Sequence, residues 1–291
     1  MAKITKYGLR DLQKEFGTDS ECLEVIFNTL HSKKCSCGGV YKRVKNRKQY
    51  QCSKCRFQIA PTAGTIFHKS DTPLTLWFYA IFLFSNAKSG LSAKQLERDL
   101  NVTYKTAWRM LYFIRKALPQ NNDKLTGIVE VDTGYLGGVK KAGKDNKNLS
   151  ASMRSKSVVV TAVERGGRMK AEVIPGASTY YVQEFLKKNI EAGAALMTDA
   201  SPVYIAGDNT YNRQTVIHKR KEYVRGNAHV NTVEAFFAHL KRSIKGSHKA
   251  ISKKYLPSYL DGFVFHYNNR HNDRERFASL LGTLLQIGKA V

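Results

Sequence analysis

The stretch Ile128-Val129-Glu130-Val131-Asp132 decides the fold. Its β-branched residues and alternation read as a short strand running toward Gly137-Gly138, and a carboxylate stands at its fifth position. A second short run, Ala195-Leu196-Met197-Thr198, leads likewise into Asp199. Between them, Val158 to Val163 and Met169 to Ile174 read as two strands joined at Gly166-Gly167, a hairpin signal. Tyr180 to Ile190 reads as a helix, as do Val233 to Ile244 and Tyr255 to Tyr267. Strands first, a strand ending in an acid and then helices make an α/β layout.

The acids draw notice because the chain is short of them, with 23 Asp+Glu against 48 Lys+Arg. Asp132 and Asp199 close strands, and Glu234 sits in the helical stretch Val230 to Phe237. Lys241 follows two helical turns after Glu234 and so shares its face. In-line attack on a phosphodiester is served by a pair of divalent cations, one at the nucleophile and one at the leaving oxygen. Hard carboxylate oxygens suit Mg²⁺ or Mn²⁺. Two Asp at neighbouring strand ends and one Glu from a flanking helix would converge on such a site, with Lys241 against the DNA backbone. Surface acids are common, so this trio gains its meaning from the rest of the chain. Glu130 shares a strand face with Asp132 and either approaches the cations or pairs with a nearby Lys. His229, His239 and His248 read as polar helix or loop residues, with His229 beside Asn231 and within reach of phosphate. Phe236, Phe237, Tyr255, Tyr259, Phe263 and Phe265 read mainly as core.

Upstream, Leu91 to Leu118 reads as two helices joined by the turn Asn101-Val102, with Ser92 and Thr103 as their caps. A helix-turn-helix lays its second helix in the major groove, here presenting Tyr104, Lys105 and Arg109; the plain alternative is a helical hairpin. Pro119 to Asp123 reads as a linker. Leu76 to Phe84, the longest apolar run, reads as a core helix, capped by Asp71 or Thr72 with Pro73 in its first turn. Before it lie Cys35-Ser36-Cys37 and Cys52-Ser53-Lys54-Cys55, two close pairs that suit a tetrahedral zinc site. The first pair is tighter than the common knuckle, which leaves His31 or His68 as substitute ligands. Lys42, Arg43, Lys45, Arg47 and Lys48 between the pairs would favour thiolates or touch phosphate, and Cys22 reads as core. These features divide the chain into a helical segment (1–31), a zinc ribbon (32–70), a helix-turn-helix region (71–122) and a catalytic domain (123–291).

A net charge of +25, spread along the whole chain, implies a polyanionic partner, since Lys and Arg release condensed counterions from phosphate. The loop lysines Lys140, Lys141, Lys144 and Lys147 would add phosphate contacts. No apolar run approaches the roughly 20 residues of a bilayer span, and Met1 to Lys6 lacks the apolar block of a signal peptide. The expected location is cytoplasmic and nucleoid-associated, or the nucleus in a eukaryotic host.

Several segments, taken in order, resemble the zinc-ribbon-bearing DDE transposases of bacterial insertion sequences, of the ISXO2-like type related to eukaryotic Merlin transposases. They are Thr62-Ala63-Gly64-Thr65-Ile66-Phe67, Tyr104-Lys105-Thr106-Ala107-Trp108, Val129-Glu130-Val131-Asp132 with Tyr135-Leu136-Gly137-Gly138, and Thr198-Asp199 with Tyr204. His229-Val230-Asn231-Thr232-Val233-Glu234, Leu240-Lys241-Arg242 and Tyr267-Asn268-Asn269-Arg270 complete the series. The resemblance implies a ribonuclease-H-like catalytic domain, binding of terminal inverted repeats and target DNA by a homo-oligomer, and cut-and-transfer chemistry. It puts Asp132, Asp199 and Glu234 on the acidic positions, with Asn231 as the alternative third ligand and Lys241 and Arg242 on DNA. Thr133 stands where the family carries a second acid, and the first cysteine knuckle is shortened. An inactive, transposase-derived DNA-binding regulator and a nuclease without strand transfer are the competing readings.

Overall fold

The computed structural model describes residues 6–118, 122–137, 156–204, 210–271 and 273–286. Most of the linker, Gly138 and the loop lysines Lys140, Lys141, Lys144 and Lys147 lie outside these residues. Contacts gather into two units: Met1–Leu118 with Asn269–Val291, and Pro119–Asn268. The last stretch of chain thus groups with the N-terminal unit, whereas the sequence division assigned it to the catalytic domain.

In the first unit the opening helical segment is two helices, α1 (Leu9–Glu15) and α2 (Asp19–Leu30). Thr18 breaks them apart by starting a new helix: its hydroxyl accepts the Glu21 N–H, and the Glu21 carboxylate accepts the Thr18 N–H. Strands β1 (Tyr41–Arg43), β2 (Tyr50–Cys52) and β3 (Gln58–Ile59) form a small antiparallel ribbon. Helix α3 (Leu74–Asn86) buries Trp77, Phe78, Ile81 and Phe84. Its start differs from expectation. Pro73 is the cap residue and offers no side-chain acceptor, so Asp19 reaches across from α2 to take the Thr75 N–H at 2.9 Å.

Helices α4 (Ala93–Leu100) and α5 (Tyr104–Lys116) follow, with Ser92 and Thr103 each accepting a backbone N–H of the first turn. Asn101 turns the chain between them in the left-handed conformation, φ 50°. A C-terminal helix, Asp273–Gln286, completes this unit. Its Phe277 stacks on Tyr7, and its buried Arg276 donates to the Ser85 carbonyl. No described helix is long and apolar enough to cross a membrane.

The second unit is built on β4 (Ile128–Leu136), β5 (Ser157–Glu164), β6 (Met169–Ile174), α6 (Thr179–Asn189), β7 (Ala195–Asp199) and β8 (Asn212–Val216). A short hairpin of β9 (Val224–Arg225) and β10 (Ala228–His229) precedes α7 (Asn231–Ser243) and α8 (Leu256–Asn268). The five-stranded sheet has the order β6-β5-β4-β7-β8. The first three strands are antiparallel, while β7 and β8 run parallel to β4. Strand alternation splits β4 between two cores. Val129 and Val131 pack with Val182, Phe185 and Leu186 of α6. Ile128 and Leu136 belong with Val233, Phe236, Phe237 and Leu240 of α7 and Leu260 and Phe263 of α8. Strand β8 and the β9–β10 hairpin were not expected. Asn212-Arg213-Gln214-Thr215 shows no apolar alternation because β8 is an edge strand in which only Val216 is buried.

Gly134 sets how closely α7 approaches β4. A Cβ at this position would lie 2.4 Å from the Phe237 ring. Overpacking of this kind costs about 1–3 kcal/mol. Gly134→Ala is therefore expected to lower stability by that amount in urea unfolding, and Phe237→Leu in the same chain to recover part of it.

Candidate functional site

Parallel pairing aligns the first two acids. Glu130 of β4 lies opposite Met197 of β7, and Asp132 and Asp199 each stand two residues further along their strands. Asp132 is half-buried and its Oδ1 accepts the Thr133 N–H at 2.7 Å. Its pKa rises from 3.8 to about 6: desolvation is the main cause, and the charges of Asp199 and Glu234 add to it. The Thr133 N–H and the Lys241 ammonium act in the opposite sense. Asp132, Asp199, Glu234 and Lys241 therefore share one electrostatic environment. Asp199 Oδ1 accepts the Ser201 N–H at 3.0 Å. Arg213 fixes the backbone there, donating to Thr198 Oγ1 at 3.0 Å and to the Asp199 carbonyl at 3.3 Å.

Glu234 lies in the first turn of α7 with its side chain partly exposed, and its Oε1 is 3.5 Å from His218 Nδ1. The Nε2 of that histidine is buried without a hydrogen-bond partner among the described residues. Asn231 is exposed one turn earlier on the same helix face as Glu234. Lys241 and Arg242 are exposed, with the Lys241 ammonium 5.8 Å from the centre of the Phe237 ring.

Thr133 meets Tyr204, a residue that also feels the charges of Asp132 and Asp199. Its hydroxyl is 2.7 Å from that of Tyr204, a buried side chain in the α6-side core whose hydroxyl burial pushes well above the usual tyrosine range. A second acid at this position would face that core. Glu130 has no free oxygen to offer a cation. It is fully buried and is paired with an Arg where a Lys was expected: Oε1 accepts from Arg165 Nε at 2.8 Å and Thr232 Oγ1 at 3.0 Å, and His229 Nδ1 lies 3.2 Å away without a hydrogen bond among the described residues. Oε2 takes the Thr232 and Val233 N–H groups at 2.7 and 3.3 Å. A buried carboxylate demands such partners, since leaving it unpaired costs several kcal/mol, about 3–5 when one partner of a pair is lost. Arg165, Arg213 and His218 were missed in the sequence. They sit at a hairpin turn, on a polar edge strand and after it, where no periodicity marks them.

In the first unit all four expected cysteines come together. Sγ atoms of Cys35, Cys37, Cys52 and Cys55 lie within 4.8 Å of one another, with Cys35–Cys55 at 3.7 Å and Cys37–Cys52 at 3.4 Å. Four thiolates around zinc at about 2.3 Å stand about 3.8 Å apart, so the cluster fits such an ion. The Tyr41 hydroxyl donates to Cys35 and pulls that thiol down to about 6. The shortened knuckle closes without a histidine. His68 Nδ1 accepts the Gly64 N–H, and His31 stacks on Phe27. Cys22 is core, its thiol pushed up to about 12 by burial. On α5, Ala107, Met110, Leu111 and Ile114 are buried, while Tyr104, Lys105 and Arg109 are exposed.

The mixed sheet, with acids on two adjacent parallel strands and a third on a helix that follows them, has the ribonuclease-H-like fold. Residues 124–268 match the family described as the ISXO2-like transposase domain, and that segment of the chain belongs to it. The chain is 28% identical over 229 residues to an uncharacterized protein in transposable element ISH50 of Halobacterium salinarum, covering 74% of this chain and 77% of that one. Among solved structures, the Mos1 strand transfer complex aligns at 12% identity and a TM-score of 0.30, over 74% of this chain and 76% of that one. The simian T-cell lymphotropic virus intasome in complex with PP2A regulatory subunit B56 gamma aligns at 12% identity and 0.32, over 65% and 69%.

The raised Asp132 pKa has a stability consequence. The folded state holds this proton more tightly than the unfolded chain, so the ionised carboxylate opposes folding. That cost is absent below about 3.8 and complete above about 6. Without divalent cation, Asp132→Asn should stabilise the protein at pH 7.5 by roughly 1–3 kcal/mol in urea melts, with the gain gone at pH 3.5.

Proposed function

We propose that this chain is a DNA transposase that cleaves element ends and joins them to target DNA through Asp132, Asp199 and Glu234. The observation that carries the reading is the meeting of these three carboxylates and Lys241 in a net-basic chain, with Asp132 desolvated among like charges. Mutual repulsion of this kind is relieved when the carboxylates share a cation. Bound Mg²⁺ or Mn²⁺ would lower the pKa of the attacking hydroxyl and steady the leaving oxygen.

The chain's own groups supply the rest. Asp132 and Asp199 hold the central position, and Glu234 closes the site from α7 with Asn231 beside it as the alternative third ligand. Lys241 and Arg242 neutralise backbone phosphate. Water is the first nucleophile and a DNA 3′-hydroxyl the second. In the first unit Cys35, Cys37, Cys52 and Cys55 hold zinc, and Tyr104, Lys105 and Arg109 meet the major groove of the terminal inverted repeats. Two ends acted on together call for more than one copy of the chain, on DNA in the nucleoid. Thr133, the residue that favoured an inactive regulator, is not one of the three acids, and its hydroxyl is engaged by that of Tyr204.

Purified protein with Mn²⁺ should nick end-containing DNA and join it to a second duplex. Asp199→Asn should reduce both to the metal-free background while end binding persists; undiminished activity in that variant rejects the assignment. Titrating the thiols with a mercurial should release zinc in a one-to-one ratio with protein. Cys52→Ser should lose that zinc and weaken end binding, and a full-strength ribbon without metal would count against the zinc site.

A further inference from the structure

We propose that Glu130 is a positioning residue for the acid site, holding the first turn of α7 so that Glu234 meets Asp132 at the spacing a cation requires. The inference rests on the metal-binding role proposed above for Asp132 and Glu234. Helix α7 begins at Asn231 after Val230, which has no side-chain oxygen to cap it. A Ser or Asp there would have served locally. The cap comes instead from the strand that carries Asp132, two residues before it, through the Thr232 and Val233 N–H groups. The next N–H, that of Glu234, makes the helix's own bond to the Val230 carbonyl at 3.0 Å. The Glu130 grip and the third acid are thus parts of one helical turn.

Arg165 holds Glu130 in turn. Its Nε donates to the carboxylate at 2.8 Å, and its terminal nitrogens donate to the Asn227 and His229 carbonyls at 2.8 and 3.0 Å. One guanidinium therefore ties β4 to the chain that feeds α7. The second hold is one turn further along, where Phe237 lies on Gly134. Asp132 sits between the two holds on the same strand face, so the helix is fixed on either side of the residue that Glu234 must meet.

The test uses Glu130→Gln and the milder Thr232→Val in the full chain, read by hydrogen exchange and by thermal shift during Mn²⁺ titration. In Glu130→Gln, amide exchange at Thr232 to Glu234 should accelerate at least about tenfold, with β5 amides unchanged. Its Mn²⁺ midpoint should move up about 10–100-fold, as for other groups that orient metal ligands. Excess Mn²⁺ should restore cleavage. Thr232→Val, which loses one hydroxyl donor and keeps the shape, should shift the midpoint about two- to fivefold in the same direction and decides the matter should Glu130→Gln not fold. A lowered melting temperature with the Mn²⁺ midpoint within about twofold of wild type makes Glu130 merely structural and overturns the proposal. Absence of any Mn²⁺ response in the wild-type protein instead overturns the metal role itself, and shows before either variant is made.

Discussion

Side chains alternate along a strand, and on β4 that alternation sends Glu130, Asp132 and Gly134 to one face and Val129, Val131 and Thr133 to the other. Each member of the first set has a distinct partner on or beside α7. Glu130 takes its first N–H groups, Gly134 admits Phe237, and Asp132 between them feels Glu234 and Lys241. A shift of one residue in the pairing of β4 would exchange this set for the other and put Val131 where Asp132 belongs. The β5 and β7 ladders on either side resist such a shift. The site is therefore held by the whole width of the sheet and not by local contacts alone.

The same arrangement explains why two adjacent carboxylates differ so much. Both belong to one strand face, yet Glu130 is surrounded by donors, whereas Asp132 has, among the described residues, one backbone donor and two like charges for neighbours. The first is compensated within the protein. The second is left in a condition that a cation would relieve. Charge is thus compensated unevenly over three residues, fully at Glu130 and little at Asp132.

Much of this was legible in the sequence because it depends on local pattern. The β-branched runs, the caps Ser92 and Thr103, the turn at Gly166-Gly167 and the cysteine spacing are all properties of a few consecutive residues. What stayed hidden depends on residues far apart. Strand β8 is a strand because β7 offers it a parallel edge, not because Asn212 to Thr215 favour one. Asp19 caps α3 from another helix, and Arg165 meets Glu130 across 35 positions. The three acids were visible in the sequence; the bonds that Glu130 accepts from the first N–H groups of α7 were not. Alternation did put Glu130 on the face of Asp132, but alternation cannot say which of two acids on one face will find donors.

The helix Asp273–Gln286 closes the first unit from the far end of the chain, with Phe277 against Tyr7, Phe16 and Phe82 and Arg276 on the Ser85 carbonyl. During synthesis on the ribosome the helices of residues 9–30 emerge well before this helix, while the apolar cores described for the second unit draw on residues between Leu125 and Tyr267. The sheet can therefore be assembled before the helices that precede it in the chain have their full complement of apolar partners. Until then Tyr7, Phe16 and Phe82 present an unfinished aromatic surface, the kind of nascent face on which molecular chaperones settle.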